Sequence, residues 1–338
     1  MYCKILISLV LLFGFFHLTP AAFGQPKSTN LTFATFFPAP HKVYLSVTEW
    51  GKEIEKQTDG KVKITFFPGS TLTPGDKNYD GVVQGISDMA MADLAYTRGR
   101  FPLCEVFYLP LGYKSALVAT RMMNEFYKKF KPKELDDTKV LFLHGHGPAL
   151  IHTKKPVQKL EDLKGMKIRS TGMSTKVVAA LGAVPVAMTM SEAYDALSKG
   201  IVEGIICPIE ALEGWKHAEV VKSTTDCFAV SYSACFFVNM NQAKWAALPP
   251  EHQKVVEKVS AEWIEKAGSS WDEIDKTGRE FTLKRGNQIV SLSKEEEQRW
   301  VNACNPLYDE YLGSMKSKGL PGEEALKFCQ EYLKQNQK

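Results

Sequence analysis

A chain of 338 residues, 44% hydrophobic and 24% charged, is long enough to bury a large core, and its length favours about two domains over one. The formal net charge of +4 is spread over basic residues interleaved with acidic ones, which excludes a nucleic-acid surface. The densest basic run, "FYKKFKPKELDD", reads as a solvated helix end.

Residues 1–24, "MYCKILISLVLLFGFFHLTPAAFG", combine one early lysine, an apolar run from Ile5 to Phe16 and small residues at Ala22 and Gly24. This pattern predicts a secretory signal cleaved near Gly24, because an apolar run of roughly a dozen residues is short for a bilayer. Losing Lys4 takes the formal charge from +4 to +3. No other stretch approaches the roughly 18 apolar residues of a membrane span, so a soluble periplasmic protein is expected. Six cysteines would remain, at 104, 207, 227, 235, 304 and 329, with no CxxC pair among them. Export permits oxidation, so either Cys304 and Cys329 tie two C-terminal helices together or all six are buried free thiols.

Along the mature chain, "LTFATFFP" alternates as a strand. "HKVYLSVTEWGKEIEKQTDG" then places Val43, Val47, Trp50 and Ile54 on one helical face before Gly60. "KVKITFFP" is a second strand, and strand, helix, strand in that order predict a βαβ unit with a parallel sheet. "ISDMAMADLAY", "SALVATRMMNEFYKKF" and "KVLFLHGHG" continue as strand, helix and strand. A second α/β run follows: "MKIRS", the helix "STKVVAALG", "VPVAM", the helix "SEAYDALSKG" with Ser191 as N-cap and Gly200 after its end, and the strand "GIICP". "TTDCFAV" and "ACFFVNM" read as strands. From Glu251 to Arg285, Val255, Val259, Trp263, Ala267, Trp271 and Ile274 then recur at helical spacing, predicting one helix long enough to cross two lobes.

Enzymatic signatures are missing. There is no G-x-S-x-G elbow, no H-E-x-x-H and no Cys/His set at metal spacing, so neither metal nor cofactor is expected. "GHGPAL" keeps two glycines of a dinucleotide loop but has Pro148 and Leu150 where the motif needs otherwise, and no helix follows. His144 and His146 alternate along their strand, so both could face one cleft or serve the core.

The ordered blocks "KKPVQKLEDLKGMKIRSTG", "VPVAMTMSEAYDALSKGIVEGIICPIEAL", "GWKHAEVVK" and "FFVNMNQAKWAALPPEHQKVV", with "ATFFPAPH" and "GRFPLCEVFYLPLG" before them, resemble the substrate-binding proteins of tripartite ATP-independent periplasmic (TRAP) transporters, the DctP-like family. The resemblance covers nearly the whole mature chain. It implies an α/β, two-lobed periplasmic binding protein of type II-like architecture, with crossing strands and the long helix spanning both lobes. Lobe I is then 25–146 plus 235–273, and lobe II 147–234 plus 274–338 with the C-terminal helices. It implies a receptor, not an enzyme, that closes on a small organic acid and passes it to a small four-helix and a large multi-span membrane subunit. The alternatives are an exported hydrolase or isomerase acting on an organic acid and a protein presenting its ligand to a sensor.

The same resemblance puts Arg169 where the family's arginine grips the ligand carboxylate, and a guanidinium suits that task with two parallel donors and a permanent charge. Asp93 and Tyr96 fall at polar contacts of the first lobe, Met190 at a pocket position or in the core, and Phe37 at an apolar wall. Phe236, from the crossing strand, either enters the pocket or packs in the sheet, and His146 completes the candidate set. Two departures stand out: Cys207 before Pro208 replaces an asparagine of sialic-acid-type members, and Ala149 replaces their second arginine. With no strongly polar side chain at either place, the expected ligand is a monocarboxylate with an apolar or aromatic body rather than a sugar acid.

Overall fold

The computed structural model describes residues 28–337. The expected signal segment lies outside them. Among the described residues no helix is long and apolar enough to cross a membrane. Among the described residues eleven strands form two sheets: β1 (Thr29–Thr35), β2 (Val62–Phe67), β3 (Met89–Asp93), β4 (Thr138–Gly145), β5 (Ala149–Thr153), β6 (Lys167–Ser170), β7 (Val184–Ala187), β8 (Gly204–Pro208), β9 (Ser223–Asp226), β10 (Cys235–Asn241) and β11 (Gln288–Ser291).

The first sheet has the order β2-β1-β3-β10-β4 and the second β11-β9-β5-β8-β6-β7. β1 runs parallel to β2 and β3, as a βαβ unit demands, and the helix Lys42–Gln57 between β1 and β2 buries Val43, Val47, Trp50 and Ile54. β10 returns from the far side of the second sheet to lie antiparallel between β3 and β4. The expected two-lobed α/β architecture with a crossing strand is therefore present, one sheet to each lobe.

Helix Pro250–Lys284 has 35 residues and ties both lobes together. On the first lobe, Trp50 Nε1 donates to Ser260 Oγ (3.2 Å) and the Asp272 carboxylate accepts from Ala116 N–H (2.6 Å), capping the helix Ala116–Phe130. On the second, Asp275 accepts from Glu210 N–H (3.0 Å) and Arg279 forks onto both oxygens of Asp226. The helix meets each lobe through a glycine: a Cβ at Gly268 would stand 2.7 Å from Leu117 Cα, and one at Gly278 2.7 Å from Glu210 Cα.

Two details depart from expectation and one open alternative, that of the cysteines, is decided. The helix Met190–Ser198 starts earlier than "SEAY" suggests, with Thr189 as N-cap and Glu192 accepting from Thr189 N–H (2.8 Å), so Ser191 is not the cap. Cys304 and Cys329 are not joined; the six cysteines at 104, 207, 227, 235, 304 and 329 are free and buried. The last helix, Gly322–Asn336, packs on Ala116–Phe130 of the first lobe, with Phe328 6.0 Å from Phe126 and 5.7 Å from Phe130 between ring centroids.

The close approach at Gly278 is testable because two effects oppose. Alanine gains about 1 kcal/mol in helix propensity, whereas overpacking a backbone contact costs about 1–3 kcal/mol. Gly278→Ala is expected to lower stability by about 1 kcal/mol in urea denaturation. A gain in stability would mean that the second lobe does not bear on the helix there.

Candidate functional site

Parallel strands end together, so the residues just past their carboxyl ends converge between the lobes. β3 delivers Asp93, β6 delivers Arg169, β8 delivers Cys207 and Pro208, and the segment after β1 delivers Phe36 and Phe37; β10, running the other way, contributes Ala234 and Phe236 at its start. Together they line a cleft with about 380 Å³ of atom-free space, open solvent included. All eight candidates named from the sequence, Phe37, Asp93, Tyr96, His146, Arg169, Met190, Cys207 and Phe236, line it. Two wider grooves of about 660 and 1010 Å³ are lined by Ala95 and Gly172, and neither is lined by Arg169.

Arg169 is 3% exposed. β6 lies between β7 and β8, with Ile168 turned into the lobe core and Arg169 opposite Val186 and Ile205. Its Nε donates to the Met188 carbonyl (3.1 Å), which fixes the plane of the guanidinium. The ion pairs among the described residues include the buried His41–Glu210 pair and Arg279–Asp226 but none made by Arg169.

Asp93 is the buried acid nearest in role. Burial pushes its carboxyl up to about 6, against the hydrogen bonds from Tyr108 and Ala95 and the charge of Arg169. Its Oδ1 accepts from Ala95 N–H (2.9 Å) and from the Tyr108 hydroxyl. Burial likewise raises the Tyr96 phenol to about 12, opposed by Arg169, so Tyr96 stays neutral. The Cys207 thiol is pushed upward by burial and is no nucleophile.

His146 lines the cavity but has no free nitrogen: Nδ1 donates to Gly147 O, and Nε2 accepts from Ala234 N–H (3.1 Å). Burial holds it at about 4, so it offers a neutral ring face. His144 does not line this cavity; its Nδ1 accepts from Trp271 Nε1 (2.9 Å), locking Trp271 in place. The two histidines therefore do not share one role.

Aromatic planes make the walls. Phe236 stacks on Trp271 (5.5 Å, 19°), Phe36 on Phe236 (6.4 Å, 22°) and Phe36 on Trp215 (6.0 Å, 16°), which reaches across from the second lobe. Phe36, Trp215, Tyr232, Glu210 and Trp271 are lining residues that sequence reasoning missed. The helical period around Trp271 accounts for it as core, and Trp215 stands in "GWKHAEVVK", a segment with no chemical signature of its own. Among the described residues, no group of three or more His, Cys, Asp or Glu is placed to hold a metal.

The lobes are closed on one another. The Tyr96 hydroxyl of the first lobe accepts from Met190 N–H (3.0 Å), the first residue of a second-lobe helix. Gly172, at φ +48°, lets Ala95 approach so near that a Cβ there would lie 2.6 Å from Ala95 Cβ.

A family model described as bacterial extracellular solute-binding protein, family 7 (DctP), matches residues 33–314. The chain belongs to this family. It is 30% identical to a marine metagenome TRAP solute binding protein specific for aromatic acid ligands, solved in complex with metahydroxyphenylacetate; the match covers 92% of this chain and 100% of that one, with a TM-score of 0.88. A TRAP solute binding protein from Rhodoferax ferrireducens, in complex with copurified benzoate, is 29% identical over 91% of this chain and 98% of its own, with a TM-score of 0.87. The C4-dicarboxylate-binding periplasmic protein DctP of Vibrio cholerae is 23% identical over 77% of this chain and 79% of its own. The fold and the family are thus those of a solute-binding protein of TRAP type.

The Tyr96 latch gives this solute-binding protein a measurable closure. Tyr96→Phe keeps the ring but removes the acceptor of Met190 N–H, at a cost of about 0.5–1.5 kcal/mol to the closed form. The ligand-free variant is expected to show a larger radius of gyration by X-ray scattering than the parent. Equal radii would mean that other contacts hold the lobes together.

Proposed function

We propose that this protein binds a small aromatic monocarboxylate in the periplasm, with Arg169 as the carboxylate anchor, and delivers it to TRAP membrane subunits. One observation carries the reading: a buried guanidinium with no carboxylate partner among the described residues stands at the edge of a slot walled by near-parallel aromatic planes. An ion taken from water needs a paired charge or pays several kcal/mol, and arginine cannot escape by losing its proton. A ligand carboxylate supplies that charge through two parallel bonds. A flat apolar body then fills the slot at roughly 25 cal/mol per Å² buried.

The two relatives solved with metahydroxyphenylacetate and benzoate support an aromatic body. The family supports an exported receptor whose partners are the transporter's small and large membrane subunits, and the "LVLLFGFF" run of residues 1–24 supports delivery by a cleaved signal. The role is binding without turnover: the Asp93 carboxylate is held by Ala95 N–H and the Tyr108 hydroxyl, and the Cys207 thiol stays protonated. Sheet membership supports lobes of 25–146 plus 235–273 and 147–234 plus 274 onward, with the final helix returning to the first lobe.

A thermal-shift panel of aryl acids, branched keto acids, C4-dicarboxylates and hexuronates tests the ligand class, since a ligand of the native state raises the melting temperature by mass action. Aryl monocarboxylates are expected to give the largest rise. A rise with C4-dicarboxylates or hexuronates alone would overturn the reading. For a ligand so found, Arg169→Ala is expected to weaken binding by about 2–5 kcal/mol in calorimetry, and Arg169→Lys to recover only part, because a point charge cannot reproduce the fork. Near-parent affinity in the alanine variant would remove Arg169 from recognition.

A further inference from the structure

We propose that Trp271, clamped by His144, sets the size of ring this protein accepts: its indole is the partition between the ligand cavity and a second hollow, so single-ring acids fit and fused two-ring acids are refused. This rests on the reading of an aryl carboxylate anchored by Arg169 and adds a limit on its body. Trp271 lines the ligand cavity and also a groove with about 280 Å³ of atom-free space, open solvent included. Val43 and Val47 of the helix Lys42–Gln57, Trp263 and Ala267 of the helix Pro250–Lys284 and Phe142 of β4 give that groove apolar walls. Among the described residues Trp271 is the only one common to both linings. Two other grooves adjoin the cavity past Tyr96 and Thr171 and past Glu210, and both are lined from the two lobes, so closure governs them. The groove behind Trp271 is lined by the first lobe alone, and room gained there would not depend on closure.

A clamped ring keeps the two spaces apart. Trp271 Nε1 donates to His144 Nδ1 (2.9 Å) in the core. That bond puts the imidazole proton on Nε2, which faces Met91 Sδ at 3.3 Å. Burial holds His144 at about 3, so near pH 7 it remains a neutral acceptor. His144 also stacks on Phe236 (5.0 Å, 16°), and Phe236 stacks on Trp271 (5.5 Å, 19°), so the three rings brace one another. Phe37 (6.2 Å, 65°) and His146 (6.1 Å, 63°) meet the indole edge-on. The indole cannot step aside for a larger ligand without stranding a buried N–H and opening a close-packed cluster. A smaller side chain at 271 would instead join the two spaces and give a second fused ring somewhere apolar to go.

Calorimetry of benzoate against the two naphthoates tests this. The parent protein is expected to bind benzoate at least about tenfold more tightly than either naphthoate. Trp271→Leu is expected to weaken benzoate, which loses a wall, and to bring a naphthoate level with it or above it. Trp271→Phe, which serves if the leucine variant does not fold, is expected to narrow the ratio by at least about threefold. His144→Leu removes the clamp and is expected to narrow the ratio as well, whereas His144→Asn, whose Oδ1 stands in for Nδ1 as acceptor, is expected to keep the parent's ratio. A purely structural role for His144 would move stability and leave the ratio alone. Naphthoates bound by the parent as tightly as benzoate, or a ratio that stays at the parent's value in the Trp271 variants or in His144→Leu, overturns the proposal and leaves the aryl reading standing. No binding of benzoate or of a naphthoate by the parent overturns that reading and the proposal together.

Discussion

Arg169 imposes the constraint around which the site is organised. A guanidinium 3% exposed, placed by β6 and oriented by the Met188 carbonyl, holds a full positive charge where water is largely excluded. The groups around it are kept from competing. His146, held at about 4, and His217, held at about 3, are neutral near pH 7, chiefly through burial and with Arg169 opposing a second positive charge. The Tyr96 phenol and the Cys207 thiol are also kept protonated by burial. The cavity lining thus carries one arginine and two acids, Asp93 tethered by Ala95 N–H and the Tyr108 hydroxyl and Glu210 facing His41.

That charge is useful only if the lobes can close over it, and the long helix makes closure possible without new covalent geometry. Gly268 and Gly278 let the two lobes rest directly against its backbone. Between them, Asp275 sits on the crossing point: its Oδ2 fills the space that a Cβ at Gly147 would take, and Oδ1 accepts from Glu210 N–H. Burial keeps the Asp275 carboxyl well above its usual range. His41, whose Nδ1 caps the helix Lys42–Gln57, reaches across to Glu210 at 3.2 Å. Contacts between the lobes therefore stand at Asp275 and His41 on Glu210 as well as at Tyr96 on Met190 and Ala95 on Gly172, so closure is shared among several points of the cleft.

Much of this was legible in the chain because strands and helices that bury one face carry their period in the sequence. β1, β2, β6 and the helices with Trp50 and Trp263 follow alternation or helical spacing, and they stand where those patterns put them. β5, "ALIHT", escaped because it is buried on both faces and has no alternation to read. β11 is only four residues long. Most of the eight candidates were named by the family resemblance rather than by any local pattern, and they share the cavity because strand ends and the segments just past them converge there. Phe36, Trp215 and Tyr232 join them through tertiary stacking between segments far apart in sequence, and no local pattern encodes that. His146 shows the limit in the other direction: its place was legible, but its two spent nitrogens were not.

The two departures from sugar-acid binders acquire a structural meaning from the polar groups the cavity does contain. Ala149 pairs with Pro208 at the edge of β5 and is wholly buried, so nothing polar replaces an arginine there. At Cys207 the backbone carbonyl is already held by His152 Nε2 (3.1 Å), and the protonated thiol is a weak donor. The polar side chains lining the cavity include Arg169, Asp93, Tyr96, Thr171, Glu210 and Tyr232; the Tyr96 oxygen already serves Met190 N–H, and the Glu210 carboxylate stands 3.2 Å from His41 Nε2. Each further ligand hydroxyl buried against Phe36, Phe236 or Trp271 would lose its water without a replacement, at about 1–3 kcal/mol apiece. A polyol acid would accumulate that cost several times over, whereas a flat ring with one carboxylate would offer its charge to Arg169 and its remaining surface to aromatic walls already stacked in parallel.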